Sequence, residues 1–157
     1  VFQNRIAVKV RACATPLANV NSLSVRSQDI AVLALERAVT EVSDVATLAS
    51  QAPASDAKVT VFGYGRFGAT CAESTQFQKY RATTTFGATT SATCRGDSGG
   101  PFFKGDGRSS TREIVALVSG QTTRQGQEVL ADPIANRAWI LARKAESEAG
   151  RALTDAR

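Results

Sequence analysis

The chain has 157 residues, 43% of them apolar, which is enough for one globular domain with its own core. Its net charge of +5 comes from Lys and Arg scattered without a run of five or six, so it carries no basic tail or patch of the kind that binds nucleic acid. The longest strongly apolar run, near Ile30 to Leu35, falls far short of the roughly 20 residues a membrane helix needs, so a role in or on a membrane is also set aside.

Short β-type runs separated by turn-rich stretches dominate the chain and predict an all-β domain. In chain order the expected strands are Arg5 to Arg11, Ile30 to Leu35, Lys58 to Phe62, Gln78 to Thr85, Gly100 to Phe103, Glu113 to Ser119 and Glu128 to Ala131. Gly63, Gly65 and Gly68 break the middle of the chain. Lys104 to Arg112 reads as a polar hairpin tip, with Gly105 and Gly107 permitting left-handed backbone. From about Pro133 the period changes. Ala138, Leu141, Ala142, Ala145, Ala149 and Ala152 recur at three- and four-residue steps, with Trp139 and Ile140 widening the stripe near its start, and predict a terminal helix over 136–157, its largely alanine stripe packed on the β core. The mostly Ala face and mixed-sign polar face argue against a membrane-surface helix.

The three cysteines, Cys13, Cys71 and Cys94, lack the C-x-x-C spacing of a zinc or redox site, and no metal or other cofactor is expected. An odd count leaves at least one without a partner in the chain, which in an exported protein points to a bond with another polypeptide or to a free thiol. The absence of a starting Met makes the chain read as a mature or processed product.

The chemistry is concentrated in "ATCRGDSGGPFF", Ala92 to Phe103. Ser98 lies among glycines, which let the backbone turn tightly and leave amide N–H groups unobstructed. Two such groups aimed at one point would stabilise the oxyanion of an acyl-transfer reaction. A generic Gly-Ser cluster would be read as a surface turn, but Gly96-Asp97-Ser98-Gly99-Gly100-Pro101 resembles the nucleophile motif of trypsin/chymotrypsin-like serine peptidases. "QDIAVLAL", Gln28 to Leu35, resembles that family's strand bearing the triad aspartate. "VTVFGYG", Val59 to Gly65, is similar to its Gly-Trp-Gly segment, with Tyr64 in place of Trp. "EIVALVSG", Glu113 to Gly120, looks like its substrate-binding strand, and "ADPIANRAWI" leads into a terminal helix as it does there. These matches fall in family order between Gln28 and about Arg143.

The resemblance implies two Greek-key antiparallel β-barrels and a C-terminal helix. Residues 1–50 would be the remainder of the first barrel, 51–135 the second barrel and 136–157 the helix. It implies Ser98 as nucleophile, Asp29 as the carboxylate that orients and supports a histidine, and the N–H groups of Gly96 and Ser98 as the oxyanion hole. On spacing alone Asp29 would read as a polar residue closing a turn. Asp97 is implied to turn inward and pair with the α-ammonium released on zymogen cleavage. That would bury it and remove Arg95-Gly96-Asp97 from use as an adhesion tripeptide.

The chain contains no histidine. In the resembled family the triad His precedes the Asp, and 157 residues are too few for two complete barrels of this type. The expectation is a two-chain enzyme: a separate N-terminal fragment of the same precursor supplies the histidine, Val1 marks a cut in an exposed loop, and Cys13 is available to bond the fragment. The competing expectation is a catalytically inactive peptidase-like binding protein. A fold of this kind belongs in a secreted or periplasmic setting, with polypeptide substrates.

For the substrate pocket the resemblance points to Ala92, Thr93, Arg95, Ser119, Gly120 and Glu128. Trypsin-like members carry an Asp at the position of Ala92, and a neutral residue there allows an apolar or small side chain. Glu128 reads either as an exposed hairpin charge or as a carboxylate that pairs with a basic side chain. Ser119-Gly120-Gln121 replaces Ser-Trp-Gly, so an aromatic wall is missing. The family's usual partner for Cys94 is absent from the Thr122 to Gln127 loop, which leaves Cys71 as the candidate for a disulfide with Cys94.

Overall fold

The computed structural model describes residues 7–16, 27–42, 44–66, 71, 79–88, 92–107, 112–121 and 128–153. Eight strands and one helix occur among them: β1 (Val10–Ala14), β2 (Val32–Leu35), β3 (Thr47–Leu48), β4 (Lys58–Gly63), β5 (Tyr80–Thr85), β6 (Pro101–Lys104), β7 (Glu113–Gln121), β8 (Glu128–Ala131) and α1 (Arg137–Glu148). The molecule is a mostly β fold with a C-terminal helix.

The larger sheet has six strands in the order β3-β7-β6-β4-β5, with β8 also paired to β7. β7 is the hub. Leu117 faces Pro101 of β6 on one edge and Ala131 of β8 on the other, while Glu113 and Ile114 pair in parallel with β3. Sequence explains the ladder locally. β4 alternates β-branched residues, and Val59 and Val61 point into a core shared with Phe102, Val115, Ala116, Val118 and Ala49. Its opposite face is covered as well. Thr60 donates to the Gly105 carbonyl at 2.8 Å and contacts the Thr83 hydroxyl at 3.2 Å, so this buried strand satisfies its polar side chain from the β6–β7 turn and from β5. Gly105 and Gly107, at φ +71° and +66°, form that turn. Thr84, Thr85, Val59, Phe102 and Leu130 share the lining of a cavity of about 70 Å³, so residues of β5 and β8 border the same space.

β1 and β2 form a separate antiparallel ribbon. Antiparallel partners point the same way, so Val10 with Leu35 and Cys13 with Leu33 place four side chains on one outward face. Val10, Leu33 and Leu35 are 49, 53 and 37% exposed. On the inner face Ala14 and Ala34 are buried, and Val32, paired with Ala14, is half-buried.

Three expectations need correction. The first strand runs Val10–Ala14 and not Arg5 to Arg11, because its ladder is with β2 and begins opposite Leu35; residues 5 and 6 lie outside the described set. β3 was not expected; two residues carry no periodicity, and only the backbone of Arg112 and Ile114, bonded to Thr47 and Ala49, makes them a strand. The helix is shorter than 136–157, ending at Glu148 before Gly150 at φ +70°. Its alanine stripe also faces outward. Arg137, Trp139, Ile140, Arg143, Glu146 and Ser147 are the half-buried positions, while Ala138, Leu141, Ala142 and Ala145 are exposed. Bulk decides this, since Trp and Ile remove far more apolar area from water than Ala. α1 lies against β2, and Arg11 of β1 donates to the Ser147 carbonyl at 2.9 Å.

Candidate active site

The segment bearing Ser98 is a succession of tight turns. The Asp97 N–H donates to the Cys94 carbonyl at 3.2 Å and the Gly100 N–H to the Asp97 carbonyl at 2.8 Å. Gly96 and Gly99 take φ of +103° and +82°, left-handed values open to glycine. Ser98 is exposed at the crest. Among the described residues no acceptor is recorded for the N–H groups of Gly96 or Ser98, whereas the Gly99 N–H is taken by the Val118 carbonyl at 2.7 Å.

β7 joins this loop to Asp29. Val118 accepts from Gly99 and donates to the Gly100 carbonyl at 2.9 Å. The next residue, Ser119, donates its hydroxyl to Asp29 Oδ2 at 2.7 Å across 90 residues of sequence. Two consecutive residues of one strand therefore hold both the Ser98 loop and the Asp29 carboxylate. Asp29 is fixed from its own side too. Ile30, buried at 6%, anchors the segment after it, and the Ser27 carbonyl before it accepts the Asp132 N–H at 2.8 Å and the Asn136 side chain at 3.2 Å. Asp132 in turn caps the turn into α1, accepting the Ile134 and Ala135 N–H groups, each at 2.9 Å.

The architecture and the nucleophile loop agree with the comparison to known families: the family model described as Trypsin matches residues 3–140. The chain belongs to the trypsin family. No curated relative matches it. As a trypsin-family peptidase domain it implies polypeptide substrates, and Asp29, Ser98 and Ser119 lie within the matched region.

Ala92 is half-buried against the core cluster, and Thr93 is buried at 2%. Arg95 is exposed, and its carbonyl accepts the Arg66 N–H at 3.0 Å. Gly120 stands opposite Val129 beside a register shift, and Glu128 opens β8 opposite Gln121; the Glu128 side chain and the Thr122 to Gln127 loop lie outside the described residues. Cys71 and Cys94 form a disulfide, which ties the Ser98 loop to a distant segment, while Cys13 is an exposed thiol on the ribbon. Asp97 is buried at 3% exposure, a placement incompatible with presenting it to a receptor. Sequence reasoning missed the Ser119 to Asp29 bond and the parts played by Gly63 and Tyr80 beside Asp97. The spacing Gly63-x-Gly65 was a local signal of close approach; Tyr80 had none.

Proposed function

We propose that the chain is the nucleophile-bearing part of a serine endopeptidase that hydrolyses peptide bonds through an acyl-enzyme at Ser98. The observation that carries this reading is the β7 pair Val118 and Ser119, which brings the Ser98 loop and Asp29 to adjacent residues of one strand. In the reaction, the Ser98 hydroxyl attacks the scissile carbonyl while a base takes its proton. The oxyanion is received by the N–H groups of Gly96 and Ser98, the C–N bond breaks, and the base returns the proton to the leaving amine. Water then attacks the ester through the same base and regenerates Ser98. Asp29 orients that base and stabilises its positive charge.

The base is a histidine supplied by a separate N-terminal fragment of the same precursor. Asp29 offers an exposed carboxylate to it, and the apolar outer face of the β1–β2 ribbon, with Cys13 upon it, is where that fragment packs. The Cys71–Cys94 disulfide supports a secreted or periplasmic setting. Half-buried Ala92 and the missing aromatic after Ser119 favour a small or apolar side chain before the scissile bond.

The test is fluorophosphonate labelling of the purified protein, with intact mass and N-terminal sequence determined for every polypeptide present. Labelling at Ser98, lost in Ser98→Ala and sharply reduced in Asp29→Asn, accompanied by a histidine-bearing fragment, is the expected result. A homogeneous, folded 157-residue species with nothing attached and no labelling would make this an inactive peptidase-like binding protein instead.

A further inference from the structure

The Asp97 carboxylate is among the few buried polar side chains, at 3% exposure. Burying a carboxylate is costly unless donors replace its water. Three do so, from three parts of the chain. Gly65 N–H donates to Oδ1 at 2.9 Å, Cys94 N–H donates to Oδ2 at 2.9 Å, and the Tyr80 hydroxyl donates to Oδ2. Among the described residues no ion pair is made by Asp97.

The space for the carboxylate depends on two missing side chains. A Cβ on Gly63 would stand 2.0 Å from Asp97 Oδ1, and one on Gly65 would stand 2.7 Å from it, closer than real Cβ atoms come. Both glycines have backbone fixed on one side, Gly63 by its ladder to Tyr80 and Gly65 by its bond to Asp97. Tyr80 is the first residue of β5 and faces Gly63 in register, so the sheet itself delivers the phenol to the carboxylate. Asp97 sits between Gly96 and Ser98. Holding its side chain from behind fixes the peptide that carries the Ser98 N–H, while the plane one step back, which carries the Gly96 N–H, is held by the Arg66 N–H on the Arg95 carbonyl at 3.0 Å.

We infer that Tyr80, with Gly63 and Gly65 making room, is a positioning residue that locks Asp97 and so holds the Ser98 N–H group in its working orientation beside that of Gly96 without an inserted α-ammonium. This regulation of the site rests on the peptidase reading above. The loop would then be ordered by the chain's own fold and not by the cleavage that frees a new N-terminus.

The test uses the purified protein with all its polypeptides. In Tyr80→Phe, which removes one oxygen and keeps the ring, amide hydrogen exchange at Gly65 and Cys94, the two amides bonded to the Asp97 carboxylate, should quicken about tenfold to a hundredfold, the worth of one hydrogen bond to a charged group. Peptide hydrolysis should lose kcat by a similar factor while KM stays within about twofold, because substrate binding along β7 does not use Asp97. Wild-type protein whose α-amines are selectively acylated should keep both its exchange pattern and its kcat. Unchanged exchange in Tyr80→Phe, or loosened Gly65 and Cys94 amides in the acylated wild type, would overturn the inference. Exchange is read whether or not the protein hydrolyses peptides. An inactive wild type would therefore sink the peptidase reading while leaving the lock decided on its own, and a Tyr80→Phe chain that fails to fold leaves the acylation arm to decide.

Discussion

In the larger sheet Val59, Val61, Phe102, Val115 and Val118 are each no more than 5% exposed, whereas the β1–β2 ribbon shows Val10, Leu33 and Leu35 to solvent at 49, 53 and 37%. The first region closes its own core. The second buries only Ala14, Ala34 and nearby Ile30 on the inside, with Val32 half-buried beside Ala14, and relies on α1, which has no buried residue, for its cover. Both regions contribute to the site, the sheet through Ser98 and Ser119 and the ribbon's leading segment through Asp29. Under the peptidase reading proposed above, the half of the site that needs a rigid backbone, the loop offering the Gly96 and Ser98 N–H groups, is built on the self-sufficient region, and the half that would meet a further base is built on the region with the apolar outer face.

The sharpest way to break this contrast is to remove the side chain on which the sheet's core converges. Phe102 is 1% exposed, faces Val61 across the ladder and lies one residue past Pro101 in β6, the strand that follows the Ser98 loop. Phe102→Ala should destabilise the protein by about 3–5 kcal/mol, the usual range for emptying such a site. Urea or thermal denaturation followed by circular dichroism checks it. A loss near 1 kcal/mol would mean that the sheet is not the self-supporting unit.

What was readable in the sequence follows the same division. The strands β4, β6, β7 and β8 announce themselves because each is an apolar or β-branched run bounded by glycine or polar turns, and the Ser98 loop is contiguous. β3 could not be seen, since Thr47 and Leu48 become a strand only through the backbone of Glu113 and Ile114. The helix was legible as a period and illegible as an orientation. Its alanine stripe marks a helical face, but which face packs depends on what the ribbon offers, and Trp139 with Ile140 wins by area. Asp29 and Ser119, 90 residues apart, meet only when the β7 ladder is in register, and Tyr80 reaches Asp97 only because β5 pairs with β4 opposite Gly63.

A smaller effect is expected on the ribbon. Leu33 is half exposed opposite Cys13, so Leu33→Thr, which puts a β-branched strand former there, should change stability by no more than about 0.5 kcal/mol. Under the reading in which this face receives the histidine-bearing fragment, the same substitution should weaken that association. Comparing melting with the stoichiometry of polypeptides in sedimentation velocity separates the two effects. A large drop in melting temperature would show that Leu33 is supported within the chain itself and would erase the contrast between the regions.

The smallest effect belongs to Arg37 and Glu41, just beyond β2. The guanidinium grips the carboxylate at 2.6 and 3.0 Å, and hydrogen bonding from Arg37, assisted by backbone amides, pulls the Glu41 carboxyl down to about 2. A folded-state pKa below the ordinary value of about 4.3 means that any stabilisation is present above that value and is lost as the pH falls toward 2. Both side chains stand in water, however, where ion pairs are screened and ordering two long side chains opposes the attraction. A nuclear magnetic resonance titration of the Glu41 side chain should therefore show a midpoint near 2 that rises toward the ordinary value in Arg37→Ala, while the acid-unfolding midpoint stays where it was. If acid unfolding moved with the Glu41 titration, the segment after β2 would be bound into the cooperative fold as firmly as the sheet is.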